Sequence, residues 1–557
     1  MYLGFALTGL VITLIVAAVS MRKAGTAMQE RETVCSKIIR FIDRYYLVFL
    51  FLLFVLFLIT RIYKLDSFPN GINVDELGTA VDSKCIRFHG TDRHGIRFPV
   101  YFQNYGGGQS ALYTYTAAFL LSFFPSGFYA FRLPAVIYGA VCFFFTYAIC
   151  IEITQNKWMS LAGPALVTML PVYFMMERWA LDCNLFLPVS TVAMYFVVRA
   201  LKYSKWYDWL LAGLAVGATL YTYVLSYIVI PLFLLFMFVY VLRLKQSDIR
   251  RALCFIIPVA ALAMPLILYQ LVNFGILEPF SIGPLDFVPL TWEREKDLGL
   301  ANVLENWKFF REMFLGGEFL TYNSFVEFGT VYMFLLPLVA AGMIICIRDT
   351  AVSFRERKFS VSVPILSFFV SSVIVMLLLR GANVNRVNQI YMPVLLFVVV
   401  ALYRLFEHRY FMLAWTGIWT VASFVFFAYF YFALQNSVYG YHPLHDSASP
   451  AKAVVRSESS YIAGPDTHIY MLATGEKERN NMMLFYFVGG PDDMYDESAY
   501  GYANVTLGMP AEIDINEDAV YIIGSEWPHI TSWLISQGFM YDQSLPEYSI
   551  LFKMKNN

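Results

Sequence analysis

Long apolar runs broken by short polar stretches dominate this chain, and the runs repeat at the length a bilayer requires. A helix crossing the hydrocarbon core needs about 20 predominantly apolar residues. Runs of that kind lie near 2–20, 45–63, 131–151, 158–176, 184–200, 207–224, 226–242, 252–272, 329–347, 361–379, 389–406 and 410–434. The stretch 207–242 holds two spans if a tight turn lies between Tyr223 and Tyr227. After about Gln435 the apolar runs shrink to strand length, at His468–Ala473, Ala519–Gly524 and Tyr548–Met554, with a helical segment at Ile530–Gln537. The pattern predicts an all-α polytopic membrane domain of about twelve transmembrane helices. A small C-terminal α/β soluble domain follows it. The expected divisions are 1–44, an extra helix with a basic segment, then 45–434 and 435–557.

Composition agrees. Of 557 residues, 59% are hydrophobic and 15% charged, against roughly 25% charged in soluble domains. The formal net charge of −1 carries no sign of a nucleic-acid partner. Seven cysteines form no CxxC pair, which argues against a zinc or redox module. Cys85 and Cys183 fall in loops expected on one side, where a disulfide is an open alternative.

Basic residues set the orientation. Arg22, Lys23, Arg31, Lys37, Arg40 and Arg44 crowd the segment 21–44. Lys202 and Lys205, Arg243 to Arg251, and Arg348 to Lys358 recur on the same side. That side is read as cytoplasmic. Loops 64–130 and 273–328 and the C-terminal domain are then extracytoplasmic. The first loop contains a helical stretch, Asp75–Phe88, and a short apolar one, Ser110–Phe124, suited to a helix lying at the membrane surface. Between them Tyr105-Gly106-Gly107-Gly108-Gln109 reads as a flexible turn rather than a phosphate nest. In the second loop Leu300, Val303, Leu304, Trp307, Phe310, Met313 and Phe314 recur at helical spacing after Trp292–Lys296.

Polar clusters interrupt the apolar sequence at span ends. Asp75-Glu76 follows the span 45–63, with Asn73 placed to cap a helix that begins there. Arg132 enters the span near 131. Glu177-Arg178 and Asp182 lie between two spans, and Arg178 and Asp182 would face each other if helical. Arg380, Asn383, Asn385 and Arg386 lie between two later spans. The ordinary explanations are helix capping, a local salt bridge and snorkelling to headgroups. All four clusters falling on one side points instead to a shared vestibule. A carboxylate there can act as general base on an acceptor hydroxyl. Guanidinium groups can stabilise a departing phosphate. That chemistry is sugar transfer from a lipid phosphate. His89 and His94 read as solvated rather than as metal ligands.

The pattern resembles the GT-C superfamily of membrane glycosyltransferases, especially the protein O-mannosyltransferase and aminoarabinose-transferase group. The residues that carry the resemblance are Asp75-Glu76 after a span, Phe131-Arg132-Leu133-Pro134 entering the next, and Arg178 to Asp182 at a later turn. Tyr221-Thr222-Tyr223 and Asn385-Arg386 before Ile390-Tyr391-Met392-Pro393 complete it. The resemblance implies a GT-C-like membrane domain with interfacial helices in the first outer loop. It implies inverting transfer of a sugar from a polyprenyl-phosphate donor to a protein, lipid or envelope-polymer acceptor. Asp75 is implied as the catalytic base, Glu76 as its partner, and Arg178, Arg386, Arg380 and Arg132 as donor phosphate-binding groups. Asp182, Asn385 and Tyr223 are implied to support them. No cofactor or metal is obligatory, and a divalent ion is left open. Two departures stand out. The spacing from Arg178 to Asp182 is one residue shorter than is common in the family, and a Lys-Pro-Pro-type segment is replaced by Gly106–Gln109. The expected location is a bacterial plasma membrane. The rival readings are a transporter or flippase of lipid-linked glycans and a non-enzymatic envelope scaffold. The first calls for matching halves with polar groups at mid-membrane, which this sequence lacks. The second leaves the acid-and-arginine clusters unexplained.

Overall fold

The computed structural model describes residues 40–66, 68–69, 71–104, 107–245, 248–290, 298–316, 329–406, 410–433, 467–473, 477–514, 517–545 and 548–553, together with positions 4, 7–12, 14–15, 454 and 463. The expected first span lies partly outside these residues. Most of the basic segment 21–44, Trp292–Lys296 and the boundary near Gln435 lie outside them as well.

Helices α1 (Tyr46–Ile62) and α2 (Val74–His89) open the described fold. A hairpin of β1 (Tyr101–Asn104) and β2 (Gly107–Ser110) follows, then α3 (Ala111–Leu120) and α4 (Phe128–Thr154). Next come α5 (Ala162–Met169), α6 (Pro171–Met176), α7 (Phe186–Tyr203), α8 (Trp206–Thr219), α9 (Ser226–Leu244) and α10 (Ile249–Asn273). A second hairpin, β3 (Phe280–Ile282) and β4 (Leu285–Phe287), precedes the short α11 (Lys308–Leu315). Helices α12 (Leu336–Glu356), α13 (Ser362–Leu378), α14 (Tyr391–Phe406) and α15 (Tyr410–Ala433) complete the helical body.

Five helical stretches are long and apolar enough to cross a membrane: Phe128–Thr154, Asp182–Tyr203, Ser226–Leu244, Ile249–Asn273 and Met333–Glu356. The protein is a multi-pass membrane protein. The expectation of about twelve spans is thereby corrected. Tyr46–Ile62, Met159–Met169, Ser362–Leu378, Asn388–Arg404 and Trp415–Tyr429 are apolar helices of shorter length. The expected span 158–176 is broken because Leu170 adopts an extended backbone ahead of Pro171, so α5 and α6 are separate pieces. The turn between α8 and α9 falls where it was expected, around Tyr223.

Beyond the helices, six strands form one mixed sheet in the order β6-β7-β5-β8-β10-β9. These are β5 (His468–Leu472), β6 (Gly501–Tyr502), β7 (Val505–Leu507), β8 (Ala519–Gly524), β9 (Met540–Leu545) and β10 (Tyr548–Phe552). β5 runs parallel to both β7 and β8. Two helices accompany the sheet, α16 (Lys477–Phe487) and α17 (Pro528–Ser536). β8 is the best-buried strand, all six residues inside, as its unbroken run Ala519–Gly524 requires.

α2 is the element that positions the polar site. It starts because Asn73 and Glu76 form a reciprocal capping box, and it stops at Gly90 in the left-handed conformation with φ 70°. Eleven of its sixteen residues are buried, from Glu76 through Ile86. It is wedged between α3, with which it packs closely, and α16 of the sheet region. The glycine run after β1 is a hairpin strand rather than a flexible turn. A Cβ on Gly108 would lie 2.3 Å from the Tyr101 ring and 2.7 Å from the Phe102 carbonyl oxygen.

Candidate functional site

Asp75 and Glu76 are neighbours in sequence and live in different surroundings. Glu76 is fully buried. Its carboxylate takes the Arg132 guanidinium at 3.0 Å, accepts the Ala180 backbone N–H at 2.7 Å and accepts from the Asn73 N–H. It thus ties the first turn of α2 to α4 and to the 177–181 turn. Asp75 is half-buried. Its Oδ1 accepts from Asn104 Nδ2 at 3.1 Å, and its backbone carbonyl accepts from Gln109 Nε2 at 3.0 Å. The β1–β2 hairpin therefore sits directly over the start of α2.

The orientation of Asn104 is fixed by a second contact. Its side-chain oxygen accepts from Arg93 Nη2 at 2.9 Å, so its NH₂ must turn toward Asp75. Arg93 in turn donates to Asp82 through both its backbone N–H, at 3.1 Å, and Nη1, at 3.2 Å. Asp82 lies seven residues after Asp75 on α2, on the same face. Gly78 lies between them. A Cβ there would meet the Asn104 side-chain oxygen at 2.4 Å and Arg93 Nη1 at 2.8 Å. Burial pushes the Asp82 carboxyl up to about 7, with Arg93 opposing the rise and Asp92 adding to it.

Asp182 lies on the next strand position's partner. Gln109 reaches Asp75, and Ser110, the following residue, donates its backbone N–H to Asp182 Oδ2 at 2.9 Å. Consecutive residues of β2 thereby link the two aspartates. Asp182 also accepts from the Cys183 N–H at 2.7 Å. The expected facing pair of Arg178 and Asp182 is not formed, because residues 177–181 are turn and extended rather than helical.

Arg132 and Arg178 face protein carbonyls. Arg132 is fully buried, and besides Glu76 it donates to the carbonyls of Leu65, Pro69 and Gly71. It stacks over Trp179 at 5.2 Å. Arg178, also fully buried, donates Nη1 to the carbonyls of Thr60 and Arg61 and Nη2 to those of Tyr63, Lys64 and Phe68. It caps the C-terminal end of α1, where the last carbonyls have no helical partner. The expectation that these two arginines turn toward a donor phosphate meets a different arrangement: they shape the 63–71 connection that delivers Asp75.

Arg380 is exposed and Arg386 half-buried. Arg386 Nη1 donates to the Arg380 carbonyl. The Asn383 side chain accepts from the backbone N–H groups of Asn385 and Arg386, both at 3.1 Å. This loop joins the site through Asn388, whose side chain donates to the Cys183 carbonyl at 2.6 Å and to the Asn385 carbonyl at 3.1 Å. Tyr223 is buried in the turn before α9. Leu112 N–H donates to the Tyr221 carbonyl at 3.1 Å, so that turn abuts the start of α3.

Two further expectations are corrected. Cys85 and Cys183 are both free and buried. His89 is not merely solvated, for its Nε2 bonds the Asp493 carbonyl at 2.8 Å. No group of three His, Cys, Asp or Glu side chains suited to a metal occurs among the described residues. Sequence reasoning overlooked Asn104, Arg93 and Asp82. It also overlooked Arg61, fully buried and paired with Glu177 at 2.8 Å. Arg61 carried a signal, as a cation at the end of an apolar run. Asn104 and Arg93 carried none, since their relation to Asp75 arises only when the hairpin folds back.

Comparison with known structures bears on the whole arrangement. ArnT from Cupriavidus metallidurans in the apo state superposes with a TM-score of 0.54 at 11% identity, covering 91% of this chain and 97% of its own. The same protein bound to undecaprenyl phosphate gives 0.53 at 10% identity, over 91% and 98%. The fold is GT-C-like. The apo oligosaccharyltransferase of Archaeoglobus fulgidus aligns at 0.50 and 13% identity, over 80% of this chain and 64% of its own. The family described as dolichyl-phosphate-mannose-protein mannosyltransferase matches residues 109–271, from β2 into α10. Among curated protein sequences none matches. The GT-C-like body thus extends over the helices expected from sequence, and the matched stretch 109–271 includes Ser110, Asp182 and Tyr223.

Proposed function

We propose that this protein is a glycosyltransferase that moves a sugar from a polyprenyl-phosphate carrier to an acceptor on the extracytoplasmic face, with inversion. The observation that carries the reading is the setting of Asp75. Its carboxylate is half-exposed, held by a single amide whose direction Arg93 fixes, and linked through adjacent β2 residues to Asp182. A general base needs this combination of access and fixed geometry. The acceptor hydroxyl gives its proton to Asp75 as its oxygen attacks the anomeric carbon. The bond to the carrier phosphate breaks, and the polyprenyl phosphate leaves with the electron pair. Glu76 holds the loop rather than the substrate. With Arg132 and Arg178 engaged by carbonyls, the phosphate falls to Arg386 and Arg380. Their loop is fastened to the Asp182 turn through Asn388. The similarity to a fold solved with undecaprenyl phosphate supports a lipid-phosphate donor. The acceptor class is a protein, a lipid or an envelope polymer.

The test is incubation of the purified protein with polyprenyl-phosphate sugars and candidate acceptors, followed by mass analysis of released polyprenyl phosphate. Release that depends on acceptor supports the proposal. Unaltered donors across the panel, with vesicle transport of the same lipids, would favour a flippase.

A further inference from the structure

Three buried hydroxyl groups near Asp182 make no hydrogen bond within the protein. They are Ser110 Oγ, Tyr227 OH and Tyr269 OH. Ser110 is 1% exposed and Tyr269 is 3% exposed. They arise from three separate elements, β2, α9 and α10, so no single local distortion produces them. Buried hydroxyls in native proteins nearly always have partners, and each one that does not calls for an explanation. Desolvating such a group without a partner disfavours the fold.

The groups share one neighbourhood. Ser110 donates its backbone N–H to Asp182. The Tyr101 ring packs 5.4 Å from the Tyr269 ring, and its hydroxyl donates to the Gly108 carbonyl at 3.2 Å. Burial lifts the Tyr101 phenol well above its usual range, and Tyr227, Asp182, Tyr269 and Tyr223 all add to the lift. Those five side chains are therefore close enough to feel one another. The Leu112 to Tyr221 bond closes the wall between the hairpin and the α8–α9 turn.

The chemistry of the set selects its ligand. Hydroxyls both donate and accept. Aromatic faces offer broad apolar area, and an aspartate accepts from hydroxyl donors. A phosphate is unsuited, because Asp182 repels it. An apolar chain is unsuited, because it leaves the three hydroxyls unbonded. A polyhydroxylated ring satisfies each group, with its C–H face against tyrosine and its hydroxyls toward Ser110, Asp182, Tyr227 and Tyr269. We propose that these four residues, walled by Tyr101, form the subsite for the glycosyl ring of the donor. This rests on the transferase reading above and assigns it a place for the sugar.

Tyr227→Phe and Tyr269→Phe remove one oxygen each and keep the rings. Thermal unfolding is measured for the wild type and both variants, alone, with undecaprenyl phosphate, and with undecaprenyl-phosphoryl hexoses and pentoses. The unliganded variants are expected to melt at or above the wild-type temperature, since a disfavoured hydroxyl is gone. Bare carrier is expected to bind all three proteins within about twofold. The tightest sugar-loaded carrier is expected to lose about tenfold in affinity in each variant, as befits one hydrogen bond. A fall in the unliganded melting temperature would overturn the subsite, because it would show the hydroxyls serve the fold. Equal loaded-carrier affinity in all three proteins, or no gain from any sugar over bare carrier, would overturn it too. Loaded carrier bound through the hydroxyls, with no release of carrier in the presence of acceptors, would sustain the subsite and sink the transferase reading.

Discussion

Asp75 keeps its carboxylate accessible because Glu76 does not. Adjacent helical positions point in different directions, and the capping box turns Glu76 inward to Arg132 while Asp75 stays at the rim. The two carboxylates should therefore fail in opposite ways. Asp75→Asn keeps the shape and the first-turn position but removes the proton acceptor. Transfer should be abolished with the melting temperature nearly unchanged, as read by carrier release and thermal unfolding. Glu76→Gln leaves the Arg132 charge buried without its counter-charge, and breaking such a pair costs about 3–5 kcal/mol. Its first effect should be a lower melting temperature. Full turnover by Asp75→Asn would remove it as base. The acidic pair was legible in sequence because it follows an apolar run. The division of labour was not, because the partners of Glu76 and Asp75 stand 56 and 29 residues away. Arg132 and Arg178 were misjudged for a related reason. An arginine at a span end looks alike whether it faces a phosphate or a ring of helix-terminal carbonyls.

At the scale of elements, α2 and the β1–β2 hairpin act as one unit through Gly78, Asn104, Arg93 and Asp82. Alanine favours a helix over glycine by about 1 kcal/mol, so Gly78→Ala should not weaken α2 by itself. It should push Asn104 away, since the space for a Cβ is already taken. The expected result is a loss of turnover larger than the loss of stability, with hydrogen exchange rising in β1 and remaining low in α2. Equal loss in both would mean the contact only supports the fold. The same unit carries a pH signature. Burial holds the folded-state Asp82 carboxyl near 7, above its ordinary value of 3.8. Its contribution to stability is then complete below the ordinary value and is lost as pH rises through 7. The loop should be more stable at pH 5 than at pH 8, and Asp82→Asn should flatten that difference in unfolding scans. Helix ends such as Asn73 and Gly90 were legible because capping chemistry is local. Span number was not. A hydropathy window counts apolar residues and does not register a break such as Leu170–Pro171.

For the molecule as a whole, the decisive contact is between α2 and the sheet region, and composition gave no hint of it. Lys84 donates to the carbonyls of Phe485 and Gly489, both at 2.6 Å, and of Tyr486 at 3.3 Å. Its ammonium lies 4.8 Å over the Phe485 ring. Tyr486 OH exchanges hydrogen bonds with Gly127, and its ring meets Phe131 at 5.6 Å. Phe487 meets Phe128 at 5.2 Å. One buried apolar cluster runs from Leu77 and Val81 of α2 to Ile469 and Tyr548 of the sheet. The helix that presents Asp75 at one end is thus gripped along its length by the C-terminal region. If that grip steadies Asp75, Lys84→Met should act on the reaction from a distance. Methionine fills similar space but leaves the C-terminal carbonyls of α16 without a donor. Turnover should fall severalfold with every acceptor tested, while donor affinity stays within about twofold, because no residue near Asp182 has changed. A brace and an acceptor-binding module part company here. A brace lowers turnover for all acceptors alike, and deletion of 435–557 reproduces Lys84→Met in exaggerated form. An acceptor module raises the acceptor KM, selectively by acceptor, and Lys84→Met leaves turnover at saturation intact.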